Sequence, residues 1–496
     1  MKKMFLTTDI KQIDQQTIVL EPISSVALMH RAALTVFNFI IEHYDTRKAI
    51  VIAGSGNNGG DGLAVADMLS IVGWEIEVWS YPNRANKRSA DCQFYFDKLQ
   101  ENNRCSIHIN EELPSHIEAT VIVIDALFGT GLSRPVERQT AQRIELINSW
   151  NAEIISIDLP SGLRTEETFN NEQNHIIKAT HTISFQFPKL AFFLPETAYY
   201  VGQWHITDIG LHPSAIEQTP SLLYYMTADT ALANARQCNR FANKEDMGRA
   251  LLVVGSFGMM GAATFAAKAC VNSGVGVLTT LIPRCGYEIM QINVPEALAL
   301  CSDDNSHNNW SASYYKKSIK ALGIGPGIGR NESTTNFLRA TLDAYKDTRI
   351  VIDADALFHL RKLMDNGYTV PPFTILTPHE GEFDRLTHPH NTRFERLKTA
   401  TDFASSHNVI VVLKGAYTTI VTPDKRLIFN TTGNAGMATG GSGDILTGVI
   451  TALLAQGYQP EQATILAVNI HANTGDKTKE KWGERGVTAS RMLNLL

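Results

Sequence analysis

Apolar and polar positions along the first two hundred residues alternate between two periods. Short β-branched runs at 48–53, 75–79, 121–125, 153–158 and 180–185 read as buried strands. Between them, stretches such as 62–72 and 138–150 carry apolar residues at helical spacing. Strands alternating with helices predict a mostly parallel sheet covered on both faces, a Rossmann-like three-layer sandwich. The pattern stops over GLHPSAIEQTPSL, residues 210–222, where two prolines and polar residues predict a linker. It then resumes. Strands are expected at 250–254, 277–282, 320–323, 349–353, 374–377 and 409–413, with a hairpin pair at 418–422 and 427–430 around Pro423-Asp424. Helices are expected at 261–273, 332–345, 393–406, 444–455 and 460–474. The chain reads as two α/β domains, 1–215 and 225–496.

Composition narrows the class. At 496 residues the chain exceeds one ordinary core, so two domains are expected. Apolar residues at 44% and charged ones at 19% suit a soluble enzyme, and a net charge of −6 argues against a nucleic-acid partner. Cys92, Cys105, Cys238, Cys270, Cys285 and Cys301 form no C-x-x-C pair, so reduced thiols in a cytoplasmic protein are expected. The N-terminus MKKMFLTTDIKQIDQQ lacks the apolar core of a signal peptide. Glycines and Lys268 interrupt the one membrane-like stretch, 250–282, so it reads as strand, loop, helix and strand, with no membrane partner.

Candidate chemistry begins where the first strand runs into GSGNNGGDG. Gly54, Gly56 and Gly59 form a G-x-G-x-x-G between strand and helix, a context for a phosphate or dinucleotide. The next strand ends Val78-Trp79-Ser80, without the acid that holds a ribose, which counts against an ordinary NAD dehydrogenase. VIVIDALFGTGLSRP places Asp125 at another strand end, and ISIDLPSG places Asp158 and Ser161 at a third. Asn58, Asp125, Asp158 and Ser161 are thus expected to converge, and an all-oxygen set suits a hard cation. The competing readings are a packing turn for the glycines and a helix cap for each aspartate.

NNGGDG, VIDALFGTGLSRP and DLPSG together resemble the N-terminal epimerase domain of NAD(P)H-hydrate repair enzymes. The resemblance implies K⁺ bound by Asn58, Asp125 and Ser161. It places substrate against Asn57, Asn58, Gly59, Gly60 and Asp61, against Gly129, Thr130, Gly131, Leu132, Ser133, Arg134 and Pro135, and against Asp158, which is the candidate catalytic residue near the reacting carbon. His30 stands where that family has a glutamate.

In the second half, ATGGSGDILTG (438–448) crowds glycines around Asp444 at a helix start, without the lysine of a GK[ST] loop. The amides of Gly441, Ser442 and Gly443 can receive a transferring phosphoryl group, and Lys414 in LKGAYT adds positive charge. Asp444, with the helix dipole favouring its ionised form, is the expected base for a substrate hydroxyl. With GIGPGIG, DADAL and TPHEGE, the arrangement resembles the ribokinase-like superfamily and within it the ADP-dependent NAD(P)H-hydrate dehydratases. That resemblance implies that Ala262, Gly327, His379 and Asp444 contact the hydrated nucleotide. It implies that Lys414, Gly415, Ala416, Tyr417, Thr418 and Gly443 contact ADP, the co-substrate. Mg²⁺ is expected through water near Asp353 and Glu382. Glu380 replaces a proline and Phe358 an asparagine of the family pattern. The expected protein is a cytoplasmic, homo-oligomeric repair enzyme acting on NADHX and NADPHX. The alternative is a small-molecule kinase fused to a non-catalytic nucleotide-binding module.

Overall fold

In the computed structural model, which describes residues 1–83, 85, 87–131, 135–165, 175–233, 235–237, 239–308 and 318–496, the expected β-branched runs are strands. The chain divides into two compact units, Lys3–Ser221 and Leu222–Leu496 with Met1–Lys2. In the first, seven strands lie in the order Ser106–Ile109, Glu75–Ser80, Lys48–Ala53, Ile122–Ala126, Glu153–Ile157, His181–Phe185 and Gln203–Thr207. Every neighbouring pair is parallel.

Alternation along the first strand shows how the layers form. Ala49, Val51 and Ala53 pack with Met29, Val36, Leu63, Leu69 and Phe96 of the helices Ser25–His43, Asn57–Ile71 and Ala90–Asn102. Ile50 and Ile52 point the other way, against Ile144 and Ile147 of the helix Arg138–Ser149. Period-2 side chains thus bury both faces, giving the three-layer sandwich. Among the described residues one helix, Ser25–His43, is long and apolar enough to cross a membrane. Here Met29, Ala33, Val36 and Ile40 of that helix lie in this core.

The second unit carries the larger sheet. From Leu223–Met226 its strands run Leu427–Asn430, Thr419–Val421, Ile410–Leu413, Ile375–Leu376, Arg349–Ile352, Ala321–Ile324, Arg249–Val253, Val277–Ile282 and Leu298–Cys301. The two contacts within the hairpin region are antiparallel and the others parallel. The stretch 250–282 resolves into strand, the helix Met260–Asn272 and strand. The expected linker holds a short helix, Pro213–Gln218, which sequence reading missed; proline suits its first turn because that N–H has no helical partner to lose.

In both sheets the strand order reverses once. The reversal lies between Lys48–Ala53 and Ile122–Ala126 in the first, and between Arg249–Val253 and Ala321–Ile324 in the second. Loops leaving the carboxyl ends at such a point diverge, leaving a crevice for a ligand.

Candidate active sites

At the first reversal the glycine loop and the Asp125 strand end are packed together. A Cβ on Gly54 would overlap the Leu127 carbonyl, and one on Gly129 would come within 3.1 Å of the Asn58 side chain. At Gly54 only glycine allows this approach, and at Gly129 a side chain would make Asn58 give way. Beside them lies a cavity of about 530 Å³. Its walls include Asn57, Asn58, Asp61, Gly129, Thr130, Gly131 and Asp158 among the expected residues. Leu132, Ser133 and Arg134 lie outside the described residues, and Gly59, Gly60 and Pro135 do not line it.

Asp125 and Ser161 form a buried knot behind this wall. Asp125 Oδ1 accepts from Ser161 Oγ at 2.5 Å and from Leu127 N at 3.3 Å. Its Oδ2 accepts from Ser156 Oγ and Ser161 N, both at 2.8 Å. Burial pushes the Asp125 carboxyl up, against the pull of these hydrogen bonds. Asn58 Nδ2, nearby, is buried with no hydrogen-bond partner among the described residues. The Asp125 carboxylate, the Ser161 hydroxyl, the Phe128 carbonyl that accepts from Ser161 Oγ at 3.2 Å, and the Asn58 amide through its oxygen make an all-oxygen set of the kind that fits a hard monovalent cation.

Asp158 is held differently. Its backbone is left-handed, φ 64°, directly after its strand, and its Oδ1 is 2.7 Å from the buried Lys189 ammonium. Lys189 also donates to Ser184 Oγ at 2.9 Å and to the carbonyls of Phe185 and Phe187. Lys189 and Asp14, which both line the cavity, were not found from sequence, because a lone charged residue on a helix or in a loop carries no motif. His30 is exposed and meets the Tyr95 hydroxyl at 3.2 Å, away from the lining.

In the second unit five loops emerge from adjacent parallel strand ends. Ala262 and Gly327 meet at the reversal point: Gly327 has φ 65°, and a Cβ there would lie 3.2 Å from Ala262 Cβ. Asp353, at the next strand end, is buried, with Oδ1 2.9 Å from Lys414 Nζ and Oδ2 accepting from Thr447 Oγ1 at 2.7 Å. Glu382 accepts from the His379 amide at 2.8 Å, and His379 Nδ1 accepts from the Glu382 amide, so His379 caps the helix Glu380–Leu386 as well as lining a cavity. Both carboxylates expected near Mg²⁺ thus also accept from, or pair with, protein donors.

Asp444 is the third residue of the helix Ser442–Ala455. The expected effect of the helix dipole does not decide its state: burial first, then Asp353, push its carboxyl up to about 7, with Lys414 pulling the other way. Removing water and adding a neighbouring negative charge outweigh a partial charge at the helix end. Of the three amides expected to face phosphate, that of Ser442 donates instead to the Thr439 carbonyl at 3.4 Å. His471 fixes the same turn. Burial holds its imidazole down at about 4, hence neutral, and its Nε2–H donates to the Ser442 carbonyl at 2.9 Å.

A cavity of about 990 Å³ opens beside Lys414, Gly415, Ala416, Tyr417, Thr418 and Gly443, the six residues expected to contact ADP. Its far wall, including Asn430, Gly433, Asn434, Met437 and Ala472, was not anticipated; the glycine turn in TTGNAG was its only sequence signal. Asp444 and Ala262, each in the first turn of its helix, and Gly327, in a loop, lie outside this lining. Glu380 has a visible role: it pairs with the buried Arg393 at 2.8 Å and Arg396 at 3.3 Å. Arg393 in turn donates to the carbonyls of Leu413, Lys414 and Tyr417, so the Glu380 carboxylate braces the LKGAYT loop. Phe358 carries Lys362 over its ring at 4.7 Å, outside the cavity.

Residues 250–496 match a family described as NAD(P)H-hydrate dehydratase, and residues 25–191 one described as YjeF-related protein N-terminus. The bifunctional NAD(P)H-hydrate repair enzyme of Moorella thermoacetica is 31% identical, covering 99% of this chain and 96% of its own length. That of Thermofilum pendens is 31% identical, covering 100% and 95%. A ribokinase-like superfamily protein of Enterococcus faecalis superposes with a TM-score of 0.50 at 26% identity, covering 55% of this chain and 93% of its own.

Proposed function

The chain belongs to the family of bifunctional NAD(P)H-hydrate repair enzymes, and on that premise we propose that its first unit interconverts the R and S hydrates while its second returns the S hydrate to NAD(P)H at the expense of ADP. The observation that carries the second half of this reading is the placement of Asp444. It is a carboxylate poised near neutrality, on a rigid helix start, in the electrostatic reach of Lys414 beside a nucleotide-sized cavity.

Asp444 takes the proton of the C6 hydroxyl. The oxygen attacks the terminal phosphorus of ADP, the bond to AMP breaks, and AMP leaves. The ring-nitrogen lone pair then expels phosphate from C6, and loss of a C5 proton closes the C5–C6 double bond. Lys414 and the amides at the helix start balance charge that grows on the transferred phosphoryl group. Mg²⁺ on the nucleotide phosphates would neutralise part of the same charge, with water between it and Glu382. In the first unit Asn58, Asp125 and Ser161 would hold K⁺, whose charge offsets the buried carboxylate. Asp158 lies at the substrate.

Mixed-epimer hydrate incubated with ADP tests both halves. Reduced-nicotinamide absorbance should recover completely, faster than spontaneous epimer exchange allows, with one AMP and one phosphate formed per hydrate consumed. A stable phosphorylated product without that absorbance would make the second unit a plain kinase.

A further inference from the structure

The helix Thr7–Leu20 brings to the first cavity a carboxylate that neither motif contains. Ile10, Lys11 and Asp14 lie on one side of that helix, and all three line the cavity. Asp61, from the helix Asn57–Ile71, and Asp158 and Lys189, from loops at the sheet's carboxyl edge, enter the same space. Three carboxylates therefore share one cavity with the ammonium groups of Lys11 and Lys189, and of the three Asp158 makes the direct ion pair with Lys189, at 2.7 Å.

Carboxylates this close do not ionise independently. Burial and then the charge of Asp158 push the Asp14 carboxyl up to about 6, with Lys189 pulling it down. Asp61 sits deeper. Burial first, then Asp158, Asp14 and Asp91, push its carboxyl well above the usual range. The three groups are thus an ion-paired carboxylate, a deeper acid whose burial opposes ionisation, and one acid that changes state near working pH. Environments that split like groups in this way mark acid and base roles.

We propose that Asp14 is the proton donor of epimer exchange and that Asp158, held by Lys189, receives the proton of the water that re-adds. This rests on the epimerase reading of the first unit. The Asp14 proton passes to the C6 hydroxyl oxygen. The C6–O bond breaks with its electron pair leaving on water, and the ring-nitrogen lone pair forms N1=C6. Water adds to the opposite face of this planar carbon, the N1=C6 pair returns to nitrogen, and the surplus proton goes to Asp158. A proton then passes from Asp158 through solvent to Asp14. Exchange in the other direction runs the same steps backwards, with Asp158 as donor. Lys189 is a positioning residue: its ammonium, 2.7 Å from Oδ1, holds the Asp158 carboxylate in place.

The test uses the full chain without ADP, starting from one pure epimer and separating the hydrates chromatographically between pH 5 and 8.5. For the unaltered chain, exchange should fall about tenfold per pH unit above about 6, as Asp14 loses its proton. Asp14→Asn should cut kcat for exchange by about 10²- to 10⁴-fold, leave KM within a few-fold, and abolish that pH limb. Asp14→Glu should restore much of the rate, with the limb displaced. Recovery from pure S hydrate with ADP shows that the second unit is intact in the same preparations, and the KM for exchange together with the Asp14→Glu rescue shows that the first unit is folded. Exchange within threefold of normal in Asp14→Asn, or an unchanged limb, overturns the assignment. If the unaltered chain exchanges nothing, the epimerase reading falls before Asp14 is at issue.

Discussion

Asp444 serves two demands that pull in opposite directions. As a base it must be ionised, so dehydration should rise about tenfold per pH unit up to about 7 and then level off. As a half-buried charge it costs stability. Its carboxyl ionises near 3.8 when exposed and near 7 in the fold, so between those values the unfolded chain gives up its proton first. Stability therefore falls as pH rises through this window, and the penalty is fully present above it. Asp444→Asn should abolish dehydration yet raise stability at pH 8 by on the order of 2 kcal/mol, with no gain at pH 4. Thermal denaturation at both pH values checks this; an equal gain at both would remove ionisation as the cause. The position of Asp444 was legible in GSGD, but its protonation was not. The neighbours that set it, Asp353, Asp355, Glu382 and Lys414, are far away in sequence and meet only when the strands pair. Asp14 and Lys189 were invisible for the same reason.

At the scale of the element, the helix Ser442–Ala455 positions Asp444 because it cannot shift. Every residue from Ile445 to Ala455 is buried, and the small side chains of Met260–Asn272 let the two helices approach closely. Gly448 marks the closest point. A Cβ there would overlap the Ala266 carbonyl oxygen and come within 2.8 Å of Ala269 Cβ. Alanine gains about 1 kcal/mol over glycine in helix propensity, but overpacking against backbone costs about 1–3 kcal/mol or more. The clash should win: Gly448→Ala should lower the midpoint of thermal unfolding and dehydration together. Gly261→Ala, where a Cβ meets nothing within 4 Å, should leave the midpoint unchanged or slightly raised. A raised midpoint in Gly448→Ala would show that the helices can part. Interior strands such as Lys48–Ala53 and Val277–Ile282 were legible because burial on both faces demands an unbroken apolar run. The edge strands Ser106–Ile109, Gln203–Thr207 and Leu298–Cys301 were missed because a half-exposed edge makes no such demand.

Across the whole molecule, each unit has its own sheet, its own reversal point and its own cavity, and the residues assigned to each reaction come from one unit. If each unit performs its reaction alone, the hydrate need only diffuse between sites, and the two activities should separate cleanly. Asp158→Asn is a conservative probe, since asparagine tolerates the left-handed backbone that Asp158 adopts. On mixed-epimer hydrate with ADP, that variant should recover the S fraction and then slow to the spontaneous rate. Asp444→Asn should recover none. Mixed in equal amounts, the two proteins should recover all of the hydrate, because the epimer released by one is substrate for the other. Absorbance at the reduced nicotinamide follows the course. A mixture that still stalls at the S fraction would mean that exchange in the first unit depends on an intact second site in the same chain.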